Sequence, residues 1–144
     1  MMIAYPLMSL LILIGLIHAY WGLGGRWPGT DDTSFVEHVV GRTKDMQPPT
    51  PLACFGVSAA LVIAACLVAI KAGGISNASV PPIAIDVAFW GAASVFALRG
   101  VAGYIPVAMA YARDTPFHRL NRLYYSPLCL IIAAGFAQIG FSAN

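Results

Sequence analysis

The chain has 144 residues, 59% of them hydrophobic and 10% charged, with a mean hydropathy of +0.77 and a formal net charge of +2. Soluble domains carry about 25% charged residues, so the composition excludes a surface made wholly for water. The small charge, with no basic stretch that alternates with aromatics, excludes nucleic acid as a partner.

Four apolar stretches are each long enough to cross a hydrocarbon core about 30 Å thick, which takes about 20 helical residues. The first runs over about 3–23. It lacks a basic leading segment and a small-x-small cleavage site, so it reads as a retained helix and not as a signal peptide. His18-Ala-Tyr-Trp-Gly-Leu-Gly-Gly-Arg-Trp27 follows, with aromatics where a helix meets an interface. The loop Gly24–Pro51 predicts a short surface helix. Ser34-Phe-Val-Glu37 fits a capping box, and Phe35, Val36, Val39 and Val40 then share one face. Pro48-Pro-Thr-Pro51 ends that helix and opens the second span, about 52–70, with a preset φ. The loop Lys71–Pro81 leads to the third span, about 82–101. In the connector beyond it, Thr115 is placed to cap and Pro116 to start a second short interfacial helix. Phe117, Leu120 and Leu123 form its apolar face, with His118, Arg119, Asn121 and Arg122 directed away. The fourth span covers about 124–141.

These elements predict an all-α fold: one membrane domain over 1–144, a left-handed antiparallel four-helix bundle with two short interfacial helices. Lipid gives helices no hydrophobic reason to associate, so small residues set the seams. Ala60-x-x-x-Ala64, Ala65-x-x-x-Ala69, Ala88-x-x-x-Ala92, Ala93-x-x-x-Ala97 and Ala133-x-x-x-Ala137 place the tight seam among spans two, three and four. The halves also look faintly alike. Trp27-Pro28 parallels Tyr104-Ile-Pro106, and Thr50-Pro-Leu-Ala-Cys54 parallels Ser126-Pro-Leu-Cys129. A parallel two-span repeat would produce this, as would the frequency of proline at helix starts. Cys54, Cys66 and Cys129 form no Cys-x-x-Cys pair, so packing is their expected role, with no disulfide framework and no metal site.

Loops one and three carry Arg26, Arg42, Lys44, Arg113, Arg119 and Arg122, against Lys71 alone on the other side. Cytoplasmic loops are enriched in Lys and Arg, which predicts both termini outside. Ionisable residues within a span mark functional candidates. Asp86 lies near the outer end of span three, where a carboxylate suits a helix start. Arg99 and His18 lie near the cytoplasmic end, and Trp21 shares the face of His18. The topology gathers His18, Tyr20, Trp21, Arg99, Tyr104, Arg122, Tyr124, Tyr125 and Ser126 at one membrane level. Two readings compete there: an aromatic and basic interface belt, and a cationic pocket open to the cytoplasmic leaflet. In such a pocket Arg99 and Arg122 hold a phosphate or carboxylate, His18 carries a proton, and the tyrosines orient a head group. No nucleophile elbow, phosphate-binding glycine loop or His-x-x-x-His accompanies them.

His18-Ala-Tyr-Trp-Gly-Leu-Gly-Gly25, Arg99-Gly100 and Tyr124-Tyr-Ser-Pro-Leu-Cys129 resemble a family of small bacterial four-span membrane proteins catalogued only as a domain of unknown function. The resemblance covers nearly the whole chain. It implies a bacterial inner-membrane location and the span count, and transfers no role to any residue. The leading expectation is non-enzymatic: contacts with membrane lipids, a protein partner or further copies of the chain, with no cofactor. The alternatives are a carrier for a small anionic solute, which needs a pocket reaching both faces, and a membrane enzyme acting on a lipid head group, which needs a second acid or base beside His18.

Overall fold

The computed structural model describes residues 2–73 and 80–142. These are helical and carry no strand. The apolar stretches become four long helices: α1 (Ala4–Gly22), α3 (Pro51–Lys71), α4 (Pro82–Ala102), and α6 (Ser126–Ser142), which continues a shorter α5 (Pro116–Leu120). Between the first two lies α2 (Asp32–Val39). Four helices are long and apolar enough to cross a membrane, which makes this a multi-pass membrane protein by length and composition. The fourth runs unbroken over Pro116–Ser142.

Local chemistry sets the helix starts, in two places differently from expectation. The capping box of α2 is not Ser34–Glu37. Asp31 is the N-cap and accepts from the Ser34 amide at 2.8 Å, while the Ser34 hydroxyl accepts from the Asp31 amide at 3.1 Å. Asp is as good an N-cap as Ser and comes three residues earlier, so it captures the helix start. Phe35 and Val36 are then fully buried, whereas Val39 and Val40 are half-buried. Thr50 caps α3, accepting from the Ala53 amide at 3.3 Å, with Pro51 in the first helical position. Thr115 occupies the N-cap of α5, but its hydroxyl donates backwards to the Ala112 carbonyl at 2.8 Å.

The segment α5 is not an independent surface helix. A single π turn, Asn121–Tyr125, joins it to α6. A π turn inserts one extra residue and rotates the helix faces beyond it. Phe117 is buried as its apolar face expects, but Asn121 is buried as well and Leu123 is exposed.

The seams also differ from the expected arrangement. The close partners are α1 with α3 and α4 with α6, and α3 meets α4 more sparsely. Placement of small residues outweighs their number: α1 has few, but they stand where the backbones meet. A Cβ on Gly15 would lie 3.5 Å from the Ser58 carbonyl, and one on Gly22 would lie 3.0 Å from the Phe55 ring. One core joins all four long helices through Leu7, Leu11, Leu61, Val68, Phe89 and Phe136.

The start of α1, the end of α3 and the end of α6 meet at one end of the bundle, where Ile3, Lys71 and Ser142 line one pocket; the two long connectors lie at the other. Residues 74–79 of the loop between α3 and α4 lie outside the described residues. At this terminal end Asp86 does not cap a helix. It accepts from Lys71 Nζ at 2.8 Å, which ties α3 to α4, and the Lys71 ammonium stands 5.9 Å from the centre of the Phe89 ring.

Candidate functional site

The connector end holds two polar nests, one from each half of the chain. In the first, His18 Nδ1 donates to the Ile14 carbonyl at 2.9 Å, a bond internal to α1. Its ring meets Trp21 edge-on at 4.8 Å between centres, and Trp21 meets Phe35 of α2 at 5.5 Å. The Trp21 indole donates to the Trp27 carbonyl at 2.7 Å. Arg26 pairs with Asp32 and lies over the Phe35 ring. The nest holds α2 against the end of α1, and its polar groups largely satisfy one another.

The second nest is built differently. Arg99, three residues before the end of α4, donates from Nη2 to the Asn121 side-chain carbonyl at 2.9 Å. The Asn121 amide nitrogen donates to the Gly103 carbonyl at 3.2 Å and lies 3.5 Å from Met109 Sδ. Asn121 and Ser126 are both 0% exposed. The π turn brings them to one side: without its extra residue, positions five apart would not project alike from a regular helix. Gly103 makes the crossing possible. A Cβ there would overlap the Ser126 hydroxyl and lie 2.6 Å from the Asn121 amide nitrogen.

Two polar atoms in this nest are buried without a hydrogen-bond partner, Arg99 Nη1 and Ser126 Oγ. No carboxylate balances the guanidinium, since the ion pairs among the described residues are Arg26–Asp32 and Lys71–Asp86. A half-buried cation without a counter-charge is costly where water cannot reach, and each unpaired buried polar group adds about 1–3 kcal/mol. The donor set, a planar guanidinium fork and a hydroxyl, matches a ligand rich in acceptors such as a phosphate or carboxylate.

The expected site residues therefore divide. Arg99 and Ser126 belong to the second nest; His18 and Trp21 belong to the first, and among the described residues no hydrogen bond joins His18 to Arg99. Tyr125 links the halves, its hydroxyl donating to the His38 carbonyl of α2 at 3.3 Å. Tyr104, partly exposed, donates to the Arg122 carbonyl at 3.2 Å. The side chains of Arg122 and Tyr124 are exposed, and no hydrogen bond ties either to the nest. Tyr20 is exposed beside Gly25. Sequence reasoning missed Asn121 and Gly103. Asn121 sits in His118-Arg-Leu-Asn-Arg122, where a regular helical projection turns it to water; the signal for it lies in the spacing Gly100-x-x-Gly103, which marks a helix approached closely near its end. Among the described residues no group of three His, Cys, Asp or Glu is placed to hold a metal ion.

A family model described as "Protein of unknown function (DUF3995)" matches residues 11–136. No curated protein and no solved structure matches the chain.

Proposed function

The chain belongs to this family of unknown function, and we propose that it is a bacterial inner-membrane protein and, from the geometry of the second nest, that it binds an anionic head group at the connector end. The observation that carries the reading is Arg99: Nη2 is engaged by buried Asn121 while Nη1 is buried and free, and the Ser126 hydroxyl, on the same π-turned helix as Asn121, is also buried and free. An anion seated there satisfies both orphan atoms and balances the charge. The role is that of a binding protein, acting through lipid or protein contacts. The nest offers an anchor and a hydrogen-bonding fork, and His18 is committed elsewhere.

The loop charges support an orientation in which the connector end faces the cytoplasm and both termini face the periplasm. The site then opens to the cytoplasmic leaflet, whose anionic lipids supply phosphate groups at that depth. The test is native mass spectrometry of protein released from vesicles of phosphatidylcholine with phosphatidylglycerol. Wild type retains the anionic lipid. Arg99→Leu loses it, and Arg99→Lys retains part, because a point charge does not replace a planar fork. Equal retention by wild type and Arg99→Leu would discard the reading.

A further inference from the structure

The buried positions recur along the chain at fixed spacing. Leu7, Leu11, Gly15 and Gly22 of α1 return 78 residues later as Ile85, Phe89, Ala93 and Gly100, which are all the buried residues of α4. The same spacing carries Gly22-x-x-Gly25-x-x-Pro28 onto Gly100-x-x-Gly103-x-x-Pro106. In the returning helices, Leu61, Ala64, Ala65, Val68 and Ala69 recur 71 residues later as Ile132, Gly135, Phe136, Ile139 and Gly140. The contacts follow the same rule. The pairing of α1 with α3 matches that of α4 with α6, the sparser α3–α4 contact matches α1–α6, and α3 meets α6 between them. This is the contact pattern of two parallel copies of a helix–connector–helix unit about a two-fold axis along the membrane normal. The shorter spacing in the returning helices places the length change in the connectors, where the second copy has the π turn and lacks the longer loop around α2.

The register also shows what each copy puts in the same place. The counterpart of Arg99 is Trp21, and the counterpart of Ser126 is Phe55. In the first copy the Phe55 ring lies against Gly22, and Trp21 packs on His18 and Phe35. Aromatic rings fill that copy's crossing. In the second copy a small hydroxyl and a guanidinium occupy the corresponding positions, and both keep unpartnered buried atoms. We infer that the chain is a two-fold repeat in which only the second copy keeps a ligand site, so that one phosphate-bearing group binds per chain, at Arg99, Asn121 and Ser126, and none at the quasi-equivalent place around Trp21. The inference rests on the anion-binding reading above and adds its stoichiometry and its asymmetry.

The experiment counts ligands on the full chain. Protein in vesicles of phosphatidylcholine with phosphatidylglycerol is released and weighed by native mass spectrometry, with a parallel arm in detergent containing inorganic phosphate. The expected result is one phosphatidylglycerol per chain, reduced about tenfold or more by Arg99→Leu and unchanged by Trp21→Leu. Ser126→Ala, which removes the hydroxyl with little change of shape, lowers retention less than Arg99→Leu and keeps the fold testable if the arginine variant does not assemble. Competition by inorganic phosphate identifies a free-anion site; its failure, with the lipid retained, identifies a lipid head group. Two lipids per chain, one lost with Trp21→Leu, would overturn the asymmetry and leave the binding reading standing. No retained lipid and no phosphate effect would overturn both.

Discussion

At the scale of single residues, Gly103 carries the heaviest constraint at the nest. Its missing side chain is the space that Ser126 and Asn121 occupy, and both are fully buried. Gly103→Ala is expected to destabilise the protein by about 3 kcal/mol, the upper part of the range for overpacking. Gly100→Ala is expected to cost less, because the atoms it meets at 2.7 Å are Cγ and Cδ2 of Leu130, which is 36% exposed and has room to turn, and the Ser126 carbonyl stands farther off at 3.1 Å. Thermal melts of the two variants in one detergent check the order. Asn121→Asp addresses charge and not space. It gives Arg99 an internal carboxylate at the position of its present 2.9 Å partner but sets the second oxygen against the Gly103 carbonyl to which the amide donated, so the variant is expected to melt lower and to lose most of its anionic lipid in native mass spectrometry. Undiminished retention would mean that the charge of Arg99 is not what holds the ligand. Arg99 was legible in the sequence because a cation in an apolar run is conspicuous. Asn121 was not, because its burial depends on a π turn that no periodicity announces.

At the scale of elements, hydropathy and proline placement located the four long helices, since both act through nearest neighbours in sequence. Helix pairing was less legible. Counting small residues favoured the alanine-rich spans, whereas Gly15 and Gly22 let α1 and α3 pack closely through single well-placed contacts. The start of α2 turns on one carboxylate. Hydrogen bonds from the Ser34 amide and hydroxyl hold Asp31 below the ordinary aspartate range. A depressed folded-state pKa means the cap is fully formed above the unfolded value of about 3.9 and fails as pH falls through the folded value. A spin label at Val39 is therefore expected to gain mobility only below about pH 4, and in Asp31→Ala to be mobile at neutral pH as well. An unchanged spectrum down to pH 2 would show that Phe35 and Val36 hold α2 without help from its cap.

At the scale of the whole molecule, orientation decides which leaflet the nest serves. A C-terminal alkaline phosphatase fusion is expected to be active and a C-terminal fluorescent-protein fusion dark, since six loop cations lie on the connector side and one on the other. The reverse pattern would move the site to the outer leaflet without altering its geometry. The two-fold pattern was only faintly visible in the sequence. Trp27-Pro28 against the Ile105-Pro106 step was in true register, but matching Thr50-Pro51 to Ser126-Pro127 was not, because connector lengths differ and the buried positions of α3 and α6 align five residues away from that match. Identity at prolines reports where helices start, whereas burial reports which faces meet.

The bond from Tyr125 to the His38 carbonyl spans 87 residues of sequence, and this sets an order of events during synthesis. The first hairpin and its connector leave the ribosome while Tyr125 is still untranslated. At about 5–20 residues per second the connector waits roughly 4–20 s for its partner. During that interval α2 has only α1 and its own cap to rest on. Nascent chains arrested after the third span are expected to be cut by protease between Gly41 and Pro49, and chains arrested after the fourth to resist. The first connector is thus a reporter, readable by protease on the connector side, of whether the second half of the protein has joined the first.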